Sequence, residues 1–130
     1  MSPFPDPFGF PRPVVVRLYL RISDLWKLTD AQAAALAGTD TYNLDDWRSG
    51  DFIDITTDMH RRMAYLLGIY GAIATKLGDT PQGDGWIKQP NQAALFGGAS
   101  ALDFMLGGDV ERIVKVHSYL YAEMWGNVGG

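Results

Sequence analysis

The chain has 130 residues, a net charge of −4 and an apolar fraction of 47%, which indicates one globular domain or two very small ones sharing a core. No apolar run approaches the roughly 18 to 20 residues that a membrane span requires, and we expect no secretory signal, because the first residues lack a basic and an apolar region. The absence of cysteine excludes disulfides and thiolate chemistry and fits a cytoplasmic protein. The acidic balance argues against binding nucleic acid through bulk electrostatics.

The negative charge lies mainly in the second half. Residues 1–78 carry 8 Lys/Arg against 9 Asp/Glu, whereas residues 79–130 carry 3 against 6. Such a segment suits a basic protein partner, or a cleft that normally holds an anionic ligand.

Residues 1–13 hold five of the seven prolines and three phenylalanines. Because proline fixes φ and lacks an N–H, we predict an extended arm, loosely docked.

Residues 14–28 allow a strand, from the alternation of Val16, Leu18, Leu20 and Ile22, or a helix, from the spacing of Val15, Leu18, Ile22, Leu25 and Trp26. We predict a helix, since the window is long for a strand and no second strand-like run exists to pair with it.

A second helix is predicted from the N-cap Thr29 to the stop at Gly38, and a third from residues 39–40 to Gly50. This spacing is typical of a helix-turn-helix, with the third helix in the recognition position. Tyr42, Asn43 and Arg48 are the candidate DNA contacts. The window also carries aspartates at positions 40, 45, 46, 51 and 54, which would face phosphates, so we favour simple packing in a bundle over DNA contact.

The longest predicted helix begins at Thr56 or Thr57 and ends at Gly78. Its apolar stripe makes it the central core helix; the stripe comprises Met59, Met63, Leu66, Leu67, Tyr70, Ile73 and Leu77. Residues 78–85 are predicted to be a turn-rich linker. A last helix is predicted over residues 109–124, with one face formed by Val110, Ile113, Val114, His117, Leu120, Tyr121 and Met124.

Residues 85–125 are predicted to form a small docking unit of short helical pieces. Pro90 and Asn91 mark a turn, and the pairs Gly97–Gly98 and Gly107–Gly108 are interpreted as helix punctuation. The residues predicted to be buried are Trp86, Leu95, Leu102 and Leu106. Those predicted to face a partner or to fix the turn are Lys88, Asn91, Gln92, Phe96 and Asp103.

No catalytic constellation is recognised in the chain. His60, interpreted as a surface residue, and His117, interpreted as a core residue, lack partners at metal-ligand spacing. The glycine pairs lack a following basic residue that would hold phosphate, and no serine lies in a nucleophile elbow. Asp103 and Asp109 are explained by positions at helix N-termini. We therefore expect no enzyme activity, no metal and no cofactor.

The run WIKQPNQAALFGGASALDFMLGG, with a following helix that ends YLYAEMWG, resembles the toxin-binding domain of the MbcA/ParS/Xre antitoxin family. The upstream segments WKLTDAQAAALAG, WRSG and RRMAYLLGIYGAI resemble the helix-turn-helix region of that family. The resemblance covers about residues 18–126. It implies an all-α fold with a helix-turn-helix region at 14–78 and a toxin-binding domain at 79–130, preceded by the proline-rich arm.

The resemblance also implies a function. Such antitoxins neutralise a RES-domain toxin, which degrades NAD or transfers its ADP-ribose, by occluding the NAD-binding cleft. They assemble with the toxin as hetero-oligomers built on antitoxin homodimers, and the complex represses its own operon. The acidic third helix departs from the family and argues against operator binding.

The residues assigned to toxin binding lie in the second half and at the end of the last helix. They are Trp86, Lys88, Asn91, Gln92, Phe96, Gly97, Gly98, Asp103, Tyr121, Trp125 and Asn127, with Trp125 and the tail expected to enter or cap the cleft. Two alternatives stay open: a small helix-turn-helix DNA-binding regulator acting without a toxin, and a plain oligomeric scaffold.

Overall fold

The computed structural model describes residues 9–78 and 81–126, which form helices and no β-strand, so the predicted all-α fold is confirmed for this part of the chain. The α-helices are α1 Arg12–Leu25, α2 Asp30–Ala37, α3 Thr41–Arg48, α4 Thr57–Leu77, α5 Pro81–Gly85, α6 Ala101–Leu106 and α7 Val110–Tyr121. Trp86–Lys88 form a 3₁₀ turn and Ala122–Gly126 a π-helical turn. The chain divides into two compact units, Met1–Gly68 and Ile69–Gly130, so the division falls within α4.

Helix α1 confirms the helical interpretation of residues 14–28. Its buried residues, Val15, Val16, Tyr19, Ile22 and Ser23, recur at helical spacing. Leu18, which both the strand pattern and the helical stripe would bury, is 39% exposed, so the prediction of its burial is wrong. Tyr19 is fully buried, and its hydroxyl donates to the Ala33 carbonyl at 2.7 Å. The helix begins at Arg12, so the extended arm is wrong for residues 12 and 13, because proline fits the first turn of a helix. Residues 1–8 of the predicted arm lie outside the described residues.

Helices α2 and α3 pack against each other across a short turn. Thr29 is the N-cap of α2, as predicted, and it also forms a reciprocal capping box with Gln32. Gly38 ends α2 in the left-handed region at φ +76°, where a Cβ would lie 2.9 Å from Arg62 Cδ. The Asp40 carboxylate caps α3 by accepting from the Asn43 N–H at 2.8 Å.

Helix α4 follows Thr56, whose hydroxyl accepts from the Met59 N–H at 3.1 Å. Its predicted stripe is only partly right. Ile69 and Ala72 are fully buried although the stripe omitted them, and Leu77 is 38% exposed although the stripe included it. The apolar side chains of α4 that the fold buries are Met63, Ala64, Leu66, Ile69, Ala72 and Ile73.

The second unit is built from short helices. Pro81–Gly85 are helical, so the predicted linker is wrong there, while residues 79–80 lie outside the described residues. Ser100 caps α6 by accepting from the Asp103 N–H at 3.0 Å, and Asp109 caps α7 by accepting from the Glu111 N–H at 3.0 Å. The core of α7 is Ile113, Val116 and Leu120, so Val116 was missed.

Candidate functional site

The loop from Gln89 to Ser100 is closed at its neck by hydrogen bonds of Asn91. The Asn91 N–H donates to the Ala99 carbonyl at 3.1 Å, and the Asn91 carbonyl accepts from the Gly98 N–H at 2.8 Å. The Asn91 side chain accepts from the Ala93 N–H at 2.9 Å, which is an Asx turn. Pro90 and Ser100 form an isolated antiparallel bridge beside it. Asn91 therefore fixes the turn, one of the two roles predicted for it.

The Gly97–Gly98 pair lies within this loop, so its interpretation as helix punctuation is wrong. Gly97 and Gly98 have φ values of +58° and +96°, a region that glycine adopts without steric cost. The pair turns the chain back toward the neck, where the Gly98 N–H makes its bond to Asn91.

An aromatic cluster is centred on Phe96, which is only 5% exposed. Its ring meets three others edge to face: Trp86 at 6.2 Å, Phe104 at 5.6 Å and Tyr119 at 5.3 Å between centroids. The prediction that Phe96 faces a partner is therefore wrong, because its side chain fills the space between the loop, α6 and α7.

The residues predicted to be buried in this unit behave differently from one another. Leu102 is buried, as predicted. Trp86, Leu95 and Leu106 are only half-buried, so the prediction of burial is wrong for these three.

The exposed side chains of the candidate site lie at the edge of the loop and on the first turn of α6. Lys88, Gln92 and Asp103 are exposed, and Asn91 is half-buried. Gln92 lies beside Gly98, since a Cβ on that glycine would be 3.8 Å from the Gln92 amide. We call Lys88, Asn91, Gln92 and Asp103 the loop surface.

The end of α7 holds the other predicted contacts. Tyr121 is half-buried and stacks on His117, with ring centroids 4.3 Å apart. Burial lowers the pKa of His117, and burial followed by the nearby Glu123 carboxylate raises the pKa of Tyr119. Trp125 lies in the π-helical turn, while its side chain and Asn127 lie outside what the structure describes.

Arg112, on the first turn of α7, was not singled out from the sequence. Its guanidinium donates from Nη1 to the Phe104 carbonyl at 3.1 Å and lies 4.7 Å from the centre of the Phe104 ring. A Cβ on Gly108 would lie 2.5 Å from Arg112 Nε. The available signal was the Gly107–Gly108 pair shortly before a long basic side chain on an otherwise amphipathic helix.

Two of the three candidate DNA contacts, Asn43 and Arg48, bind to residues within their own unit. Arg48 pairs with Asp30 at 2.8 Å and with Asp45 at 3.4 Å, and the hydrogen bond from Arg48 lowers the pKa of Asp30. The Asn43 side chain donates to the Thr39 hydroxyl at 2.9 Å. Tyr42 alone of the three projects freely, at 83% exposure.

His60 is half-buried, with its Nε2 atom buried, so its interpretation as a surface residue is wrong. Among the described residues, no group of three or more His, Cys, Asp or Glu side chains could hold a metal ion. None of the helices in the described ranges is long and apolar enough to cross a membrane.

The amino-acid sequence was compared with those of known proteins and protein families. Residues 74–126 match the family described as the antitoxin Xre/MbcA/ParS C-terminal toxin-binding domain. Over 115 residues the chain is 32% identical to "Uncharacterized protein y4oB" of Sinorhizobium fredii (strain NBRC 101917 / NGR234), an alignment that covers 88% of this chain and 87% of that protein. The chain therefore belongs to the same family as the y4oB protein, and residues 74–126 of its second unit match the toxin-binding domain of the Xre/MbcA/ParS antitoxins, which supports an antitoxin role with a toxin as partner.

Proposed function

We propose that the chain neutralises a RES-domain toxin, which degrades NAD or transfers its ADP-ribose, by covering the toxin's NAD-binding cleft with the loop surface. The observation that carries the proposal is that exposed polar side chains, Lys88, Gln92 and Asp103, lie on or beside a closed loop within the matched toxin-binding region. Inhibition by coverage requires no catalytic group on the antitoxin.

The shape of the loop suits insertion into a cleft. Its neck is held by two backbone hydrogen bonds of Asn91, and its Phe96 side chain is buried against Trp86, Phe104 and Tyr119. A segment that is already ordered loses less conformational entropy on binding than a mobile one. The loop surface therefore presents its polar groups in a fixed arrangement.

The charge of the second unit supports the same target. Residues 69–130 carry six acidic and four basic residues, and Asp103 exposes its carboxylate on the first turn of α6. A cleft that binds the pyrophosphate of NAD is lined by cationic or N–H groups. We assign Asp103 to that lining and Tyr121, Trp125 and Asn127 to its rim.

We further propose that the antitoxin acts in the cytoplasm as a homodimer of a type II system. Val14 and Leu18 lie one turn apart on α1 and stay exposed, and Ile53, in the loop between α3 and α4, is 68% exposed. Exposed apolar side chains on one unit suit a contact between copies. Sedimentation equilibrium of the purified chain measures this assembly.

The proposal is tested by expressing the neighbouring toxin reading frame with and without this chain while growth and cellular NAD are followed. We expect the toxin alone to stop growth and deplete or consume NAD, and the chain to restore both. With purified proteins, an unreactive NAD analogue should compete with the antitoxin for the toxin, because both occupy one cleft.

Variants sharpen this test. Asp103→Asn and Gln92→Ala are each expected to weaken toxin binding about tenfold, equivalent to roughly 1.4 kcal/mol, whereas Lys115→Ala, exposed on α7, serves as the matched control. A chain truncated after Glu123 measures the part played by Trp125 and Asn127. If the NAD analogue did not reduce binding of the antitoxin to the toxin, the proposal that the antitoxin covers the NAD-binding cleft would be contradicted.

A further inference from the structure

Arg112 joins the beginning of α7 to the end of α6. Its Nη1 donates to the carbonyl of Phe104 at 3.1 Å, one of the last carbonyls of α6, which also accepts from the Gly107 N–H at 3.3 Å. The same guanidinium lies 4.7 Å from the Phe104 ring centre, within the range of a cation–π contact. One side chain therefore holds both the backbone and the ring of Phe104.

The Gly107–Gly108 pair makes room for this arrangement. A Cβ on Gly108 would lie 2.5 Å from Arg112 Nε and 2.6 Å from its Cδ, and one on Gly107 would lie 3.0 Å from its Nη1. Neither glycine has a positive φ, so backbone conformation does not require glycine at these positions. Gly107 is the C-cap of α6, which agrees with the interpretation of the pair as helix punctuation, and the absence of a side chain at both positions leaves room for Arg112.

Phe104 connects Arg112 to the loop, because it contacts both Arg112 and Phe96. Its ring packs edge to face on Phe96, whose ring in turn contacts Trp86 and Tyr119. Asp103 precedes Phe104 in α6, and Phe96 lies in the loop that carries Asn91 and Gln92. A shift of Phe104 would therefore move α6 and the loop together.

We infer that Arg112 is a positioning residue of the toxin-binding surface: it acts through Phe104 and the glycine pair to set the orientation of α6 and the loop surface. This inference rests on toxin binding by the loop surface, although not on the toxin's reaction. Because Arg112 acts on the shape of the antitoxin's own binding surface, its loss should raise the dissociation rate of the complex rather than lower the association rate.

The test is a double-mutant cycle with Arg112→Ala and Gly108→Ala. Each single variant is expected to weaken binding of the purified neighbouring toxin about tenfold through a faster dissociation rate. In the Arg112→Ala background, Gly108→Ala has no arginine to displace and is expected to add less than twofold. Gly85→Ala, where an added Cβ meets nothing within 4 Å, is the matched glycine control.

A direct charge contact of Arg112 with the toxin makes different predictions. If Arg112 made such a contact, Arg112→Ala would lower the association rate and the salt dependence of binding, and Arg112→Lys would retain the wild-type affinity. Positioning leaves the salt dependence unchanged, and lysine restores little because it lacks the planar guanidinium that stacks on Phe104.

The positioning itself is measured in the chain alone, from amide chemical shifts at Gln92 and Asp103. We expect both to move in Arg112→Ala and in Gly108→Ala and to stay in Gly85→Ala. Unmoved shifts, additive effects in the cycle, or rescue by lysine would overturn the inference. Failure of the wild-type chain to bind the toxin would instead contradict the proposed function, and the shift measurements would still decide the coupling of Arg112 to the loop.

Discussion

The side chain of Phe96 shows how a residue in a candidate binding segment acquires a structural role. Its sequence context, between a proline-containing turn and two glycines, is that of a surface loop. In the fold the ring is enclosed by three aromatic rings from the 3₁₀ turn, α6 and α7. Its burial leaves the loop's polar residues as the exposed ones.

Substitution of Phe96 tests this role. Phe96→Ala removes a buried aromatic and is expected to lower the free energy of unfolding of the second unit by about 3–5 kcal/mol. Lys88→Ala, exposed in the same segment, should change it by less than about 0.5 kcal/mol. Urea denaturation measures both. Unchanged stability together with lost toxin binding would return Phe96 to the contact surface.

His117 makes the stability of the second unit depend on pH. Burial lowers its pKa below the ordinary value of 6.5, so near that pH the unfolded chain binds more protons than the folded one. The stability due to neutral His117 is therefore complete above pH 6.5 and falls as the pH drops through 6.5 toward the lowered value. The slope from one proton cannot exceed about 1.36 kcal/mol per pH unit.

Urea denaturation at several pH values checks this expectation, with His117→Gln as the comparison. The variant should lose the dependence in the window just below pH 6.5. The Asp30 carboxyl, whose pKa lies below its ordinary 3.8, titrates at lower pH and does not obscure it. A wild-type slope that persists in His117→Gln would assign the dependence to another group.

At the scale of elements, the sequence predicts well where a signal is local. The N-cap Thr29 and the stop at Gly38 follow from side-chain hydrogen bonding and from the freedom of glycine at positive φ, and both are present. The stripe of α4 was only partly right, because three- and four-residue steps admit several paths along a long helix. In the folded chain, tertiary packing buries Ile69 and Ala72.

The candidate site could be predicted only in part for the same reason. The Pro90–Asn91 turn was visible because asparagine caps turns through its side chain. The place of Gly97–Gly98 in a loop and the passage of Arg112 beside Gly107–Gly108 depend on the specific contacts that these glycines make with Asn91 and Arg112 in the folded chain. Periodicity carries no information about such contacts.

At the scale of the whole molecule, residues 1–78 are nearly neutral, but one segment of the first unit is locally acidic. Residues 39–57 carry five aspartates and one arginine, a net charge of −4 that equals the charge of the entire chain. The single arginine, Arg48, is paired with Asp30 and Asp45. A recognition helix in this segment would meet the phosphate backbone with unneutralised carboxylates.

We therefore expect the chain alone not to bind DNA in a saturable way. Fluorescence anisotropy with a duplex from upstream of its own reading frame, at about 50 to 200 mM salt, measures this. The variant pair Asp45→Asn and Asp46→Asn, both exposed on α3, should bind more tightly than the wild type. Specific binding by the wild-type chain with a steep salt dependence would favour the DNA-binding regulator.

The closed neck at Asn91 also has a thermodynamic consequence for complex formation. Segments that fold on binding show an excess heat-capacity change, because they bury surface within themselves as well as against the partner. Here the Asn91 hydrogen bonds and the buried Phe96 already order the loop in the free chain. The heat-capacity change of toxin binding at this loop should therefore reflect the interface area alone, and the antitoxin would act through a surface assembled when it folds.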